Sequence, residues 1–114
     1  KKADMPTART ALATAVVSGK IYAIGGTPAV QGPGLATVEG YDPVTNTWAK
    51  KTDMPTARVF LGADVVNQKI YVIGGVAKGL GPAILPTVEE LDVGLGVEAK
   101  GKLPMPWAQL KKGD

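Results

Sequence analysis

The 114-residue chain contains neither cysteine nor histidine. Without Cys there is no disulfide framework and no thiolate metal site, and the redox compartment is left open. Without His the chain lacks the commonest general base, the commonest metal ligand and the side chain that titrates unperturbed near neutrality. A catalytic role is therefore disfavoured, and neither a metal nor a cofactor is expected. Long apolar runs are missing too: the longest fall far short of the roughly 20 residues a helix needs to cross a bilayer, and the N-terminus has no secretory h-region. A soluble chain with no membrane partner is expected. The net charge is modest at +3, and the lysines come in pairs (Lys1 and Lys2, Lys50 and Lys51, Lys111 and Lys112) rather than in one block. That distribution suits a solvated loop face and not a nucleic-acid patch.

What the chain has is small residues and turns. Fifteen Gly and nine Pro without a collagen period, beside 45% apolar residues, favour short strands joined by many turns around one core. The strongest signal is internal repetition. KKADMPTAR at 1–9 returns as KKTDMPTAR at 50–58, and residues 1–26 match 50–75 at 17 of 26 positions. After a loop one residue longer in the second copy, Thr37-Val38-Glu39 is answered by Thr87-Val88-Glu89 and Asp42 by Asp92. Met105-Pro106 resembles a third start.

Each copy reads as four strands. Thr10 to Val17 is a short apolar stretch, Ser18-Gly19 a hairpin turn, and Lys20 to Ile24 a β-branched and aromatic strand. Gly25-Gly26 ends that strand, since paired glycines allow backbone angles and close approaches that a Cβ forbids. The Gly/Pro-rich stretch from Thr27 to Leu35 is expected as an exposed loop, Thr37 to Asp42 as a third strand, and Thr47-Trp48-Ala49 as the start of a fourth. Ala11, Ala13 and Ala15 alternate, which would line one side with narrow residues where sheets converge on an axis.

The order Met-Pro…Arg, an apolar strand, Lys20-Ile21-Tyr22-Ala23-Ile24-Gly25-Gly26, Val38-Glu39-Gly40-Tyr41-Asp42-Pro43 and Asn46-Thr47-Trp48 resembles the kelch repeat of β-propellers. The resemblance covers nearly the whole chain, as a single two-blade unit over 1–114: blade 1 at about 5–54, blade 2 at about 55–104, and 105–114 as the start of a third repeat or a tail. It implies an all-β fold of two four-stranded antiparallel blades. It also implies that Gly25, Gly26, Gly74 and Gly75 close the second strands and that Tyr41 and Trp48 pack between sheets. The second copy departs from the pattern, with Leu91 in place of Tyr41 and Glu98 in place of Trp48, and Val97 or Trp107 are the alternatives to fill that space.

A blade has two faces to cover and closed propellers use about four to eight blades, so two must find more. They would come from a longer chain or from copies of this one in a cyclic homo-oligomer, with a trimer of six blades favoured. Arg9 and Arg58, at matching positions before the inner strands, are placed by the resemblance near a central channel, where repeated guanidinium groups would attract an acidic ligand; the competing role is structural, bonding carbonyls and Asp4 or Asp53. Asp64, at the position matched by Ala15, is the third binding candidate, facing the channel or meeting an arginine. Glu39 and Glu89, with the adjacent Glu90, point to structural pairing. The loops 27–36 and 76–86, almost free of charge except Lys78, are the preferred partner surface. They lack a P-loop pattern.

The expected function is a noncatalytic interaction or assembly scaffold that contacts itself and a protein partner. The alternative is a propeller binding or modifying an acidic sugar through Arg9, Arg58 and Asp64. A copper-oxidase variant of the fold would need His and Cys, which are absent.

Overall fold

The computed structural model describes residues 1–29, 32–77 and 83–93, and the backbone of 107–109. Among the described residues it is all-β. The first sheet is an antiparallel meander of β1 (Ala13–Val17), β2 (Lys20–Ile24), β3 (Val38–Asp42) and β4 (Thr47–Lys50), in that spatial order. The second is built from β5 (Gly62–Val66), β6 (Lys69–Ile73), β9 (Val88–Asp92) and β10 (Trp107–Gln109), in the order β10-β9-β6-β5. Between β6 and β9 lies a two-stranded ribbon, β7 (Val76–Ala77) with β8 (Ala83–Ile84).

Local chemistry explains the hairpins. Ser18 and Gly19 have φ of 51° and 77°, and Asn67 and Gln68 have 51° and 63°, the paired left-handed angles of a turn whose twist suits antiparallel strands. The inner strand starts at Ala13 rather than Thr10, because Ala11 sits at φ 58° and breaks the extended run. Its carbonyl instead accepts from the Phe60 N–H at 2.9 Å, tying the first sheet to the entry of the second. Phe60 repeats the angle at 59°.

Pairing registers decide which residues share a face. Ala13 faces Ile24 and Ala15 faces Tyr22 across β1 and β2, and Ile24 faces Val38 across β2 and β3. These residues line one side of the first sheet and pack on the opposite side of the second, where Ile70, Val72 and Leu91 sit. Met54 and Leu61, from the connecting segment, complete the core between them. The glycine doublet belongs to this contact: Gly26 N–H donates to Arg58 C=O at 2.8 Å, and a Cβ on Gly25 would stand 2.8 Å from the same oxygen.

Three expectations change. The second long loop is not wholly irregular, since its ends pair as β7 and β8. The fourth strand of the second sheet comes from beyond residue 104, and Trp107 lies opposite Leu91 just as Trp48 lies opposite Tyr41. Tyr41 and Trp48 stack on each other at 5.0 Å but not between the two sheets: they occupy the far face of the first, under the N-terminal segment, where Trp48 Nε1 donates to Ala3 C=O. Lys78, Val97, Glu98, Met105, Pro106, Lys111 and Lys112 lie outside the described residues.

Candidate functional site

The segment 1–9 crosses the far face of the first sheet, and 50–58 crosses the matching face of the second. Each ends in an arginine that turns into the sheet. Arg9 donates through Nη1 to the carbonyls of Gly25 and Thr37 at 3.0 and 2.9 Å, and through Nη2 to the Ala23 carbonyl and to Glu39 Oε1 at 3.2 and 2.7 Å. Arg58 repeats this with Gly74 and Thr87 carbonyls at 2.8 and 3.0 Å, Thr87 Oγ1 at 2.7 Å, and Glu89 Oε1 at 3.2 Å. Thr7 and Thr56 hydroxyls donate to the second oxygens of Glu39 and Glu89 at 2.8 and 2.7 Å. Both guanidinium groups are wholly buried. The planar fork suits this task, because it satisfies carbonyls freed where the second and third strands diverge at the glycines and at the same time neutralises a carboxylate.

This corrects the placement of Arg9 and Arg58 as ligand-binding residues. Their donors are turned inward onto the sheet, so neither offers charge to an acidic ligand. The carboxylate partners also differ: Asp4 and Asp53 pair instead with Lys1 and Lys50 at 2.6 and 2.7 Å on the surface. Burial lowers the affinity of the Arg9 guanidinium for its proton, and the charge and hydrogen bond of Glu39 oppose that shift. Arg9 Nε is buried without a partner among the described residues, whereas Arg58 Nε reaches Glu89 Oε1 at 3.4 Å.

Asp64 meets no arginine. It is exposed on β5, opposite Tyr71, and its own carboxylate accepts from the Val65 N–H at 3.0 Å. Arg9, Arg58 and Asp64 are thus not brought together. Among the described residues no acidic or other ligating cluster is arranged to hold a metal.

The feature the structure brings forward is a pair of open flanks. The outer side of the second sheet carries Val66 and Ile73, 55% and 49% exposed, although their counterparts Val17 and Ile24 in the first copy are 2% and 0% exposed. On the far side of the first sheet Ile21 is 38% exposed, whereas its counterpart Ile70 is 0% exposed. Among the described residues, these apolar side chains are covered where the sheets meet and more exposed where they do not.

Repeated four-stranded antiparallel meanders stacked face to face, with small residues on the inner strand, define blades of a β-propeller. Residues 8–55 match the kelch motif. The chain is also similar to a solved structure, that of YjhT, with 30% identity and a TM-score of 0.61 over 68% of this chain. The chain belongs to the kelch-repeat β-propeller family. It spans about a quarter of the YjhT chain, the matched part being 24% of that length.

Proposed function

We propose that this chain is a noncatalytic kelch-type assembly and interaction module whose two open flanks are closed by further blades, supplied by other copies of itself, and whose loops face a protein partner. A trimer of six blades is the favoured closure. The observation that carries the proposal is the contrast in burial between equivalent positions: Val17 and Ile24 against Val66 and Ile73, and Ile70 against Ile21. Such side chains each gain about 1.5–3 kcal/mol from full burial, and the two flanks differ in shape, so copies meet head to tail and a ring closes them.

The noncatalytic assignment draws support from the lack of His and Cys and from the internal engagement of both arginines. For the loops, support comes from the exposed apolar Ile84 on the β7–β8 ribbon. Light scattering coupled to size-exclusion chromatography tests assembly. The expected result is a monodisperse particle of three times the monomer mass; a stable monomer with native strand content would refute it.

A further inference from the structure

The contact between the two sheets is a template for the contact that would close the flanks. The segments 1–9 and 50–58 lie on their own sheets in the same way, with Lys1–Asp4 and Lys50–Asp53 pairs, Thr7 and Thr56 bonded to Glu39 and Glu89, and Arg9 and Arg58 bonded to Gly25 and Gly74. Within the chain, the second of these segments also fastens the sheets together. Lys51 N–H donates to Val38 C=O and Met54 N–H to Ala36 C=O, both at 2.8 Å. The stem of Lys51 then lies over Gly40, so close that a Cβ there would meet Lys51 Cε at 3.1 Å.

In a second copy that supplied the next blade, the residue matching Lys51 is Lys2, and on the second sheet the residue matching Gly40 is Glu90. Lys2 is exposed on the first segment. Glu90 lies on the open side of the second sheet beside Tyr71, whose hydroxyl bonds its Oε2 at 2.9 Å, while Lys69 approaches the same oxygen at 3.4 Å. Where the internal contact sets a lysine over a glycine, the open flank sets a carboxylate. A carboxylate offers about four acceptor positions, so Oε1 is the acceptor for an incoming ammonium. The lysine end is flexible enough to give way to the added side chain.

We propose that a second copy of this chain docks its first sheet on the outer side of the second sheet in the register used internally, and that its Lys2 pairs with Glu90 across that contact. Lys2 N–H and Met5 N–H then meet the carbonyls of Val88 and Pro86, and Met5 takes the place that Met54 holds in the internal core. The pairing also favours this register, since it sets an ammonium opposite a carboxylate across the contact. This geometry rests on the self-assembly proposed above.

The test compares wild type, Lys2→Glu, Glu90→Lys and the double exchange by sedimentation at low and high salt, with circular dichroism to verify folding. Each single variant is expected to weaken association about three- to tenfold per contact and the double to recover it, with the differences shrinking at high salt. An assembling wild type whose single variants associate as well, or whose double variant stays as weak as the singles, overturns the Lys2–Glu90 register and leaves self-assembly standing. A monomeric wild type overturns both and assigns the flanks to blades of a longer polypeptide.

Discussion

Replacing Glu89 by glutamine isolates the electrostatic part of the buried lock in the second sheet. The amide keeps the shape and can still accept from the Thr56 hydroxyl, but it removes the negative charge facing Arg58 at 3.2 Å. Arg58, wholly buried, then keeps only neutral acceptors: the Gly74 and Thr87 carbonyls and Thr87 Oγ1. Breaking one side of a buried ion pair costs about 3–5 kcal/mol, and because three neutral acceptors remain the lower end applies, about 3 kcal/mol. That is a large part of the roughly 5–15 kcal/mol typical of a folded domain.

A double variant, Arg58→Met with Glu89→Leu, sharpens the test. Apolar replacement of a buried ion pair is often neutral or stabilising. Here Arg58 also satisfies two backbone carbonyls, and each one left buried without a donor costs about 1–3 kcal/mol. The double variant should therefore be no more stable than Glu89→Gln. Urea denaturation followed by circular dichroism, at one fixed protein concentration so that assembly contributes equally, reads both differences from the midpoint and slope. A loss below about 1 kcal/mol for Glu89→Gln, or wild-type stability in the double variant, would refute the claim that this fork holds the strand ends together.

Two further outcomes follow from the same contacts. Gly26→Ala should destabilise by about 2–4 kcal/mol and Gly74→Ala by only about 1 kcal/mol; both have positive φ, but the new Cβ would lie 2.5 Å from Thr10 O in the first case and 3.4 Å from Leu85 O in the second, and urea midpoints compare them. Burial raises the pKa of Tyr22, so the folded state holds that proton more tightly than the unfolded chain; its contribution is complete below the ordinary value of about 10 and is lost as pH climbs through the raised one. Tyr22→Phe should then lose less stability than wild type as pH rises above about 10, measured by urea midpoints at each pH.

The strands bounded by strong punctuation were legible to the residue. Lys20–Ile24 and Lys69–Ile73 lie between a two-residue turn and a glycine doublet, and both emerge with those limits. The fourth strand of the second sheet was legible only as an alternative, Trp107 or Val97, because its distance from the third differs: Trp48 follows Tyr41 by 48 − 41 = 7 positions, whereas Trp107 follows Leu91 by 107 − 91 = 16. Cross-strand partnership survived where spacing did not. The arginines show the reverse weakness. Nearness in sequence suggested Asp4 and Asp53, yet Glu39 is the residue that β-pairing sets opposite Ala23, directly beneath Arg9. Repetition marked Glu39 and Glu89 as paired groups, but only the strand register shows with what.

The charges on the outer side of the second sheet could be taken for the polar finish of a terminal repeat, since capping units in repeat proteins carry a polar outer face. Their placement argues otherwise. Asp64 and Glu90 stand at the positions of Ala15 and Gly40, while Val66 and Ile73 keep the apolar character of Val17 and Ile24 on the same face. A cap would exchange the apolar pair first, because these give the most free energy when covered and gain nothing from water. Under the proposed assembly, leaving them apolar and adding charge on the same face would keep the drive to associate and make it conditional on what the neighbour carries. On the far face of the first sheet Ile21 is 38% exposed, and Lys2 is exposed on a segment fixed by Arg9 and Glu39. In the assembly proposed above the two flanks would be halves of one contact, and the buried locks that hold each segment to its own sheet would keep those halves in shape before they meet.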